Sequence, residues 1–166
     1  MLEYENLVAS NQDAFIAKVI DISTRLNINP NWLMGVMYVE SRLNPTAQNP
    51  ITFATGLIQF MPNTAKSLGT TIEAIRAMSN VQQLDYVYKY LLPYSGKIKS
   101  FSDCYFAVFF PAAIGKADTW VLQAVNLTAA KIAAQNPLYD VGKKGYITVA
   151  DVKSKLPTID DGKKKV

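Results

Sequence analysis

Apolar side chains recur at helical spacing in the early part of the chain and predict its first two helices. An amphipathic helix is expected over about 11–27, because apolar residues stand at intervals of three and four. The members of this stripe are Phe15, Val19, Ile22 and Leu26. Asn29 and Pro30 supply a cap and a first residue for a second helix, which must stop before Pro45.

Capping residues and prolines predict the later helices. A short helix is expected between Pro62 and Gly69. Two capping boxes, Thr70–Glu73 and Ser79–Gln82, each predict a helix start, and the second helix should reach about Leu92. The residues that this helix should turn inward are Val81, Leu84, Tyr88 and Leu91. Further helices are expected from Asp103 to about Phe110, weakly over 117–135, and from Thr148 to a stop before Pro157.

These elements predict a mainly α protein. No run is typical of a strand, although the loop 44–57 has room for a short β-hairpin. A length of 166 residues and a hydrophobic fraction of 49% are enough for one globular domain with its own core. No repeat or linker interrupts the pattern, so we expect one domain over 1–157 followed by a flexible basic tail, 158–166.

The composition excludes several classes of chemistry. The chain has no histidine and one cysteine, Cys104, which excludes Ser-His and Cys-His nucleophile systems, an intramolecular disulfide and a cysteine-based zinc site. We expect a buried structural thiol at Cys104, and neither a metal nor a cofactor. Part of the net charge of +4 comes from the tail lysines 163–165, which indicate a solvated segment. Attraction to an anionic cell-wall polymer or nucleic acid is the alternative.

Neither a leader nor a membrane span is apparent in the sequence. The first residues, Met1 to Glu5, are acidic and lack an apolar stretch of signal-peptide length, so we expect no signal peptide. No segment has the apolar length of a membrane span. Export would then need another route.

Glu40 carries the clearest chemical signal in the chain. Helical spacing places it above Val36 and Trp32, so a carboxylate stands on the apolar stripe of a core helix. Loss of solvent favours its protonated form, and so does the negative end of the helix dipole. A partly protonated carboxyl group is suited to general acid catalysis. The alternative is a buried glutamate paired with Arg42 or Arg25.

Two motifs resemble those of a known family. Glu40 and Ser41 close the segment from Pro30 to Pro45, and a run from Ala54 to Ala65 follows with Gly56-Leu57-Ile58-Gln59 near its start. The order and spacing of these motifs resemble the lytic transglycosylase domain of the soluble lytic transglycosylase type, a relative of goose-type lysozyme.

The resemblance is strongest over 28–68 and extends over about 10–115, and residues 105–116 also resemble a segment of phage tail transglycosylases. It implies a lysozyme-like fold and cleavage of the β-1,4 bond between N-acetylmuramic acid and N-acetylglucosamine in peptidoglycan. It also implies action at the cell wall, in the periplasm, outside the cell or on a virion. A place in a phage tail or a secretion assembly is left open.

Carried over to this chain, the resemblance implies a set of site residues. Glu40 is the catalytic acid/base, and Ser41 hydrogen-bonds near it or contacts a sugar. Gly56 lets the backbone approach the glycan closely, and Gln59 hydrogen-bonds the substrate. Further substrate contacts are expected from neighbours of this motif, namely Leu57, Phe60 and Phe53.

The third motif of the family, Ala-Tyr-Asn-Ala-Gly, is altered in this chain. The best alignment puts Phe110 and Pro111 where tyrosine and asparagine stand. A phenylalanine has no hydroxyl with which to orient the catalytic glutamate or the sugar. Tyr105, one helical turn earlier, is the candidate substitute, and core packing is its alternative role. Both Tyr105 and Phe110 are therefore candidate site residues.

A second carboxylate, which glycoside hydrolysis normally requires, is not evident. We expect Glu73 to serve its capping box, Asp103 to favour a helix start and Asp85 to face solvent. One acid suffices for an intramolecular reaction, in which the muramoyl C6 hydroxyl attacks C1 and a 1,6-anhydro sugar forms. The rivals are a hydrolysing muramidase, a weakly active glycan-binding or tail-structural module, and a nucleic-acid-binding protein, which the lack of a basic helix face disfavours.

Residues 140–151 match an EF-hand loop at its first, sixth, eighth and twelfth positions. The matching residues are Asp140, Gly145, Ile147 and Asp151. Gly142 and Lys144 at the third and fifth positions supply no carboxylate oxygen, and a lysine repels a cation. We expect a degenerate calcium loop that has kept the turn and lost the ion. The alternative is an ordinary Gly-Lys turn before a capped helix.

Overall fold

The computed structural model describes residues 1–160, which are mainly helical. The eight α-helices of this stretch are α1 (Gln12–Leu26), α2 (Pro30–Ser41), α3 (Pro62–Ser67), α4 (Ile72–Ala77), α5 (Asn80–Leu91), α6 (Phe101–Phe109), α7 (Ala129–Gln135) and α8 (Val149–Lys155). Short 3-10 turns stand at Glu5–Leu7, Leu92–Tyr94 and Pro111–Ala113. The predicted mainly α class is confirmed and fits a lysozyme-like fold.

The described residues divide into two compact units. The first contains Met1–Gly96 together with Ile159 and Asp160, and the second is Lys97–Thr158. Helices α1 to α5 belong to the first unit, and α6 to α8 belong to the second.

The predicted limits of one domain over 1–157 and a flexible tail over 158–166 stay a prediction. At the start of that tail, Ile159 is buried at 7% exposure, and the carbonyl of Asp160 accepts a hydrogen bond from Asn29 at 3.5 Å. The tail lysines 163–165 lie outside the described residues.

The core of the first unit is built around α1, which packs against α2 and α5. The predicted stripe is confirmed, because its four members are each 1% exposed or less: Phe15, Val19, Ile22 and Leu26. Burial of each such side chain contributes about 1.5–3 kcal/mol to folding. This stripe holds α2 in place from one side.

Local capping sets most helix starts as predicted. The Asn29 side chain accepts from the backbone N–H of Asn31 at 2.9 Å, and complete capping boxes start α5 and α8. The box expected at Thr70–Glu73 is wrong. Thr71 is the N-cap of α4 and accepts from the N–H of Ala74 at 3.1 Å. Glu73 is therefore the second residue of α4 and has no capping task.

The inward face of α5 differs from the predicted one. Its buried residues are Asn80, Gln83, Leu84, Val87 and Leu91, whereas Val81 and Tyr88 are half-buried. The helical period was predicted correctly, but two amide side chains occupy buried positions. Apolar periodicity cannot identify such positions, because it counts only apolar residues.

The loop 44–57 and its continuation hold the β-structure of the first unit. Isolated bridges join Gln48 to Thr55 and Thr55 to Phe60, so the hairpin for which the sequence left room is reduced to these contacts. The loop is thereby folded back on itself between α2 and α3.

The second unit begins with α6, whose Ser100 cap accepts from the N–H of Asp103 at 3.1 Å. Cys104 in this helix is fully buried, and burial raises the pKa of its thiol to about 12, which confirms the predicted structural thiol. The weakly helical stretch 117–135 becomes helical only at α7.

No helix within residues 1–160 combines the length and the apolarity needed to cross a membrane.

Candidate active site

Glu40 lies in the last turn of α2, as predicted, and is half-buried. The inner face of this helix is formed by Leu33, Met34, Val36 and Met37, each 0% exposed. Trp32, one turn below Val36, is also half-buried. Glu40 therefore stands at the edge of the apolar face, less buried than the sequence predicts, and part of the residue stays accessible.

The two arginines considered as partners of Glu40 make their contacts elsewhere. The guanidinium of Arg25 lies 3.5 Å from the carboxylate of Asp21. That of Arg42 stacks 4.2 Å above the ring of Tyr38 and donates to the Tyr38 carbonyl at 3.3 Å. These contacts do not support the ion-pair alternative for Glu40.

A tyrosine of α5 lies within electrostatic reach of Glu40. Burial raises the pKa of the Tyr90 hydroxyl above its ordinary value, and Tyr94 and the charge of Glu40 raise it further. The ring of Tyr90 meets that of Phe60 edge-on at 6.5 Å between centroids and lies 6.0 Å from that of Tyr94. The Tyr90 hydroxyl therefore lies close enough to Glu40 to feel its charge, and the hydrogen bond that contributes to its raised pKa is with Tyr94.

Ser41 links the end of α2 to the Gly-Leu-Ile-Gln loop. It is 8% exposed, and its hydroxyl lies 2.9 Å from the carbonyl of Leu57 and 3.1 Å from that of Met37. The single hydroxyl hydrogen serves these two acceptors. Of the two roles expected for Ser41, the structure favours the hydrogen bond near Glu40 over a contact with a sugar.

Gln83 of α5 holds the same loop from the other side. It is 0% exposed, and its Oε1 accepts from the N–H of Leu57 at 3.0 Å. Its Nε2 donates to the carbonyls of Pro45 at 2.6 Å and Ile75 at 2.9 Å. Gln83 was not among the site residues predicted from the sequence. Its signal was a glutamine four residues before Val87, on the stripe that faces the core.

Gly56 stands where the loop passes Gln83. Its φ of +84° is a left-handed conformation, and a Cβ at this position would lie 2.5 Å from Oε1 of Gln83 and 3.1 Å from Cγ2 of Ile75. Glycine is required here by the backbone conformation and by the space. The close neighbour in this structure is a glutamine side chain, whereas the resemblance implied a glycan.

Three of the expected substrate contacts are turned inward. The Nε2 of Gln59 donates to the carbonyls of Ala47 at 3.2 Å and Gly56 at 3.1 Å. Phe60 is 1% exposed, which disfavours the expected stacking of its ring on a sugar, and that contact stays a prediction. Leu57 is 0% exposed and its N–H is bonded to Gln83, so it offers the substrate no side-chain surface. Substrate binding by Gln59 stays a prediction.

Phe53 lies beside this loop on an exposed groove. Its ring is 52% exposed, its φ is +60°, and its N–H donates to the carbonyl of Asn49 at 2.9 Å. The groove has a volume of about 530 Å³ and is lined by Gln48, Phe53, Ile72, Glu73, Arg76 and Ala77. An exposed ring beside amide, guanidinium and carboxylate groups is suited to bind a sugar, and its size is that of a small-molecule site.

Residues 18–90, which contain Glu40, Ser41, the Gly-Leu-Ile-Gln loop and Gln83, match the model of the Transglycosylase SLT domain family. This part of the chain is therefore similar to an SLT-type transglycosylase domain. Neither the comparison with curated proteins nor the comparison with solved structures gives a match. The SLT family acts on peptidoglycan in the cell wall by transglycosylase cleavage of its glycan strands. The resemblance of residues 105–116 to phage tail proteins stays a prediction.

Tyr105 and Phe110 lie beyond the SLT match, in the second unit. Tyr105 is 3% exposed, shares a hydrogen bond between hydroxyl groups with Tyr139, and stacks on Phe109 at 5.5 Å between centroids. Phe110 is half-buried, and its ring lies 6.4 Å from that of Trp120. These contacts fit the packing alternative for Tyr105. A role of either residue toward the substrate stays a prediction.

Two of the other carboxylates have structural tasks, as predicted. Asp103 accepts from the N–H groups of Lys99 and Gly115, both at 3.0 Å, and Asp85 is exposed and pairs with Lys18 at 2.9 Å. Glu73 is exposed on the groove beside the SLT loop. Among residues 1–160, no three His, Cys, Asp or Glu side chains lie close enough together to hold a metal ion.

The loop 140–151 places a cation of its own beside Asp151. The ammonium of Lys144 lies 2.7 Å from the carboxylate of Asp151, and Asp140 accepts from the N–H groups of Lys144 at 2.8 Å and Gly145 at 3.0 Å. Burial opposes ionisation of Asp151, but hydrogen bonds from Lys144 and Thr148 outweigh it and hold its pKa below the ordinary value. The loop keeps its turn through these bonds.

Replacing Gly56 with alanine should lower the free energy of unfolding by roughly 2–4 kcal/mol, through backbone strain and a disturbed buried hydrogen bond. Gly96 is the matched control, because its φ is also +84° and a Cβ there would meet nothing within 4 Å. Denaturant titration measures both variants. Gly96→Ala reports the cost of backbone strain alone, whereas Gly56→Ala adds the cost of the contact with Gln83. Equal losses in both variants would mean that the contact with Gln83 contributes nothing.

Calcium should leave the melting temperature of the wild-type chain unchanged and raise that of Lys144→Asp. The new carboxylate would join Asp140 and Asp151 while the competing ammonium is gone, and a bound ion stabilises the folded state. Lys143→Asp makes the same charge change one residue away and should show no such response. Calorimetry that finds micromolar calcium binding by the wild-type chain, abolished by Asp140→Ala, would contradict this account.

Proposed function

We propose that this chain is a peptidoglycan lytic transglycosylase that cleaves the β-1,4 bond between N-acetylmuramic acid and N-acetylglucosamine. Glu40 is its one catalytic acid/base, and the product carries 1,6-anhydro-N-acetylmuramic acid. The observation that carries the proposal is the position of Glu40. It is half-buried at the end of α2, within the SLT match, and next to a serine bonded to the Gly-Leu-Ile-Gln loop.

Glu40 acts twice in the proposed reaction. It first donates its proton to the glycosidic oxygen, and the bond from C1 of the muramoyl residue to that oxygen breaks. The 2-acetamido group of the same residue stabilises the anomeric centre. Glu40 then takes the proton of the C6 hydroxyl as O6 bonds to C1. No water is consumed, and the carboxyl group ends in its starting state.

The surroundings of Glu40 support its action first as an acid and then as a base. Partial burial and the negative end of the α2 dipole favour the protonated acid that starts the reaction. The charge of Glu40 is one of the causes that raise the pKa of Tyr90, which supports a role for the Tyr90 hydroxyl as a donor to the carboxylate that exists between the two proton transfers. In this proposal Tyr90 supplies the hydroxyl that the altered third motif lacks at Phe110.

The groove beside the loop is the proposed course of part of the glycan. Phe53 supplies an exposed ring for a sugar face, and Gln48 and Arg76 are joined by a hydrogen bond of 3.2 Å at its wall. The resemblance of residues 105–116 extends the proposal to a phage tail or secretion assembly as the carrier of the domain. The substrate remains the peptidoglycan strand in either case.

Glu40→Gln should lose at least ~10²-fold in turnover while its circular dichroism and melting temperature remain near those of the wild type, because it removes only the transferable proton. Glu73→Gln distinguishes the two mechanisms, since Glu73 is the exposed carboxylate on the groove. A single-acid enzyme keeps most of its turnover without Glu73, whereas a two-carboxylate hydrolase does not. Near-wild-type turnover of Glu40→Gln would sink the proposal.

Mass spectrometry of digested sacculi should find muropeptides lighter by one water than the products of hydrolysis. The reason is that O6 of the same sugar replaces water at C1. Products that retain that water would identify a muramidase instead. Binding of intact peptidoglycan without released fragments would identify a glycan-binding module.

A further inference from the structure

We infer that Gln83 is a positioning residue, which sets the place of Glu40 relative to the Gly-Leu-Ile-Gln loop through the peptide group of Leu57. The inference rests on the proposed function of Glu40. It adds a residue outside the two motifs that carry the resemblance to the SLT family.

The first step is the relay of hydrogen bonds that ends beside Glu40. Oε1 of Gln83 accepts from the Leu57 N–H at 3.0 Å, and the Leu57 carbonyl accepts from Ser41 at 2.9 Å. Ser41 is the last residue of α2 and directly follows Glu40. The Leu57 peptide is thus fixed at both ends, and the catalytic helix is attached to one of them.

The second step is that Gln83 is itself held in place by its surroundings. It is 0% exposed, and both of its amide hydrogens are engaged by carbonyls, one from Pro45 at 2.6 Å and one from Ile75 at 2.9 Å. These partners belong to the start of the loop and to α4. One amide therefore fixes the start and the centre of the loop to α4 and α5.

The third step is steric. Oε1 of Gln83 takes the space in which any side chain at position 56 would begin, at 2.5 Å from the ideal Cβ of Gly56. The glycine of the motif is thus matched to the glutamine that faces it. A shift of about 1 Å at a reacting group can cost 10²-fold in rate, so small displacements of this loop matter for Glu40.

The test compares Gln83→Met with Asn80→Leu. Both replace a buried amide of α5 by an apolar side chain of similar length, but the hydrogen bonds of the Asn80 side chain join it to Ser10, Asn11 and Val81 instead of the loop. Two readouts are measured on folded protein: kcat and KM on peptidoglycan, and the ¹³Cδ chemical shift of Glu40. Gln83→Met should lower kcat at least ~10-fold and move the Glu40 signal, whereas Asn80→Leu should do neither.

Gln83→Glu adds a test by pH, which also serves if Gln83→Met does not fold. As a neutral acid it keeps one donor for the facing carbonyls, and as a carboxylate it repels them. Its kcat relative to the wild type should therefore rise as the pH falls, and Asn80→Asp should show no such trend.

The Leu57 amide should lose its protection from hydrogen exchange in Gln83→Met.

The outcomes separate this inference from the proposed function. An unchanged kcat and an unchanged Glu40 signal in folded Gln83→Met would overturn the positioning role. If the wild type itself cleaves no peptidoglycan, the proposed function fails, and the Glu40 chemical shift still decides whether Gln83 sets its place. Equal effects of the Gln83 and Asn80 variants on both readouts would mean that Gln83 contributes only to the stability of the fold.

Discussion

The peptide group of Leu57 is the point on which the geometry of the SLT site depends. Its N–H is held by Gln83 of α5 and its carbonyl by Ser41 of α2, so two helices that are far apart in sequence share one loop peptide. A buried hydrogen bond contributes only about 0.5–1.5 kcal/mol net, but an unpaired buried group costs about 1–3 kcal/mol. The arrangement is therefore strongly favoured over any in which one partner is missing.

This constraint explains why several motif residues face inward. Gly56 is left without a side chain because Gln83 fills its space, and Gln59 and Phe60 complete the loop from within. Motif residues of this kind preserve the shape of the loop. The groups that the fold leaves accessible are different ones, namely the half-buried Glu40 and the exposed ring of Phe53. The residues that shape the loop and the residues that are open to solvent are thus largely different sets.

In the second unit, the loop 140–151 has an ion pair where an EF-hand loop binds a divalent ion. An EF-hand loop gathers oxygen ligands around a divalent ion, whereas the loop 140–151 places the ammonium of Lys144 against Asp151 and caps Asp140 with backbone N–H groups. Hydrogen bonds from Lys144 and Thr148 hold the pKa of Asp151, at the twelfth position, below its ordinary value. Lys144 thus supplies the positive charge beside Asp151 from within the chain.

Much of the local structure follows from the sequence alone. The caps at Asn29, Ser79 and Thr148 and the stripe of α1 were predictable, because caps and stripes depend on residues within one or two helical turns. The Glu40-Ser41 pair and the Gly-Leu-Ile-Gln motif likewise identified the domain, because their order and spacing are read along the chain.

Tertiary structure decided which of those residues are accessible and which are bonded to one another. Gln83 forms hydrogen bonds with residues 26 and 38 positions away, and no residue near it in sequence indicates which partners these are. Phe60 is buried and meets Tyr90 edge-on, and Glu40 lies at the edge of its apolar face rather than within it. Helix starts are determined over a few residues of chain, whereas burial and long-range hydrogen bonds are determined only when separate helices pack together.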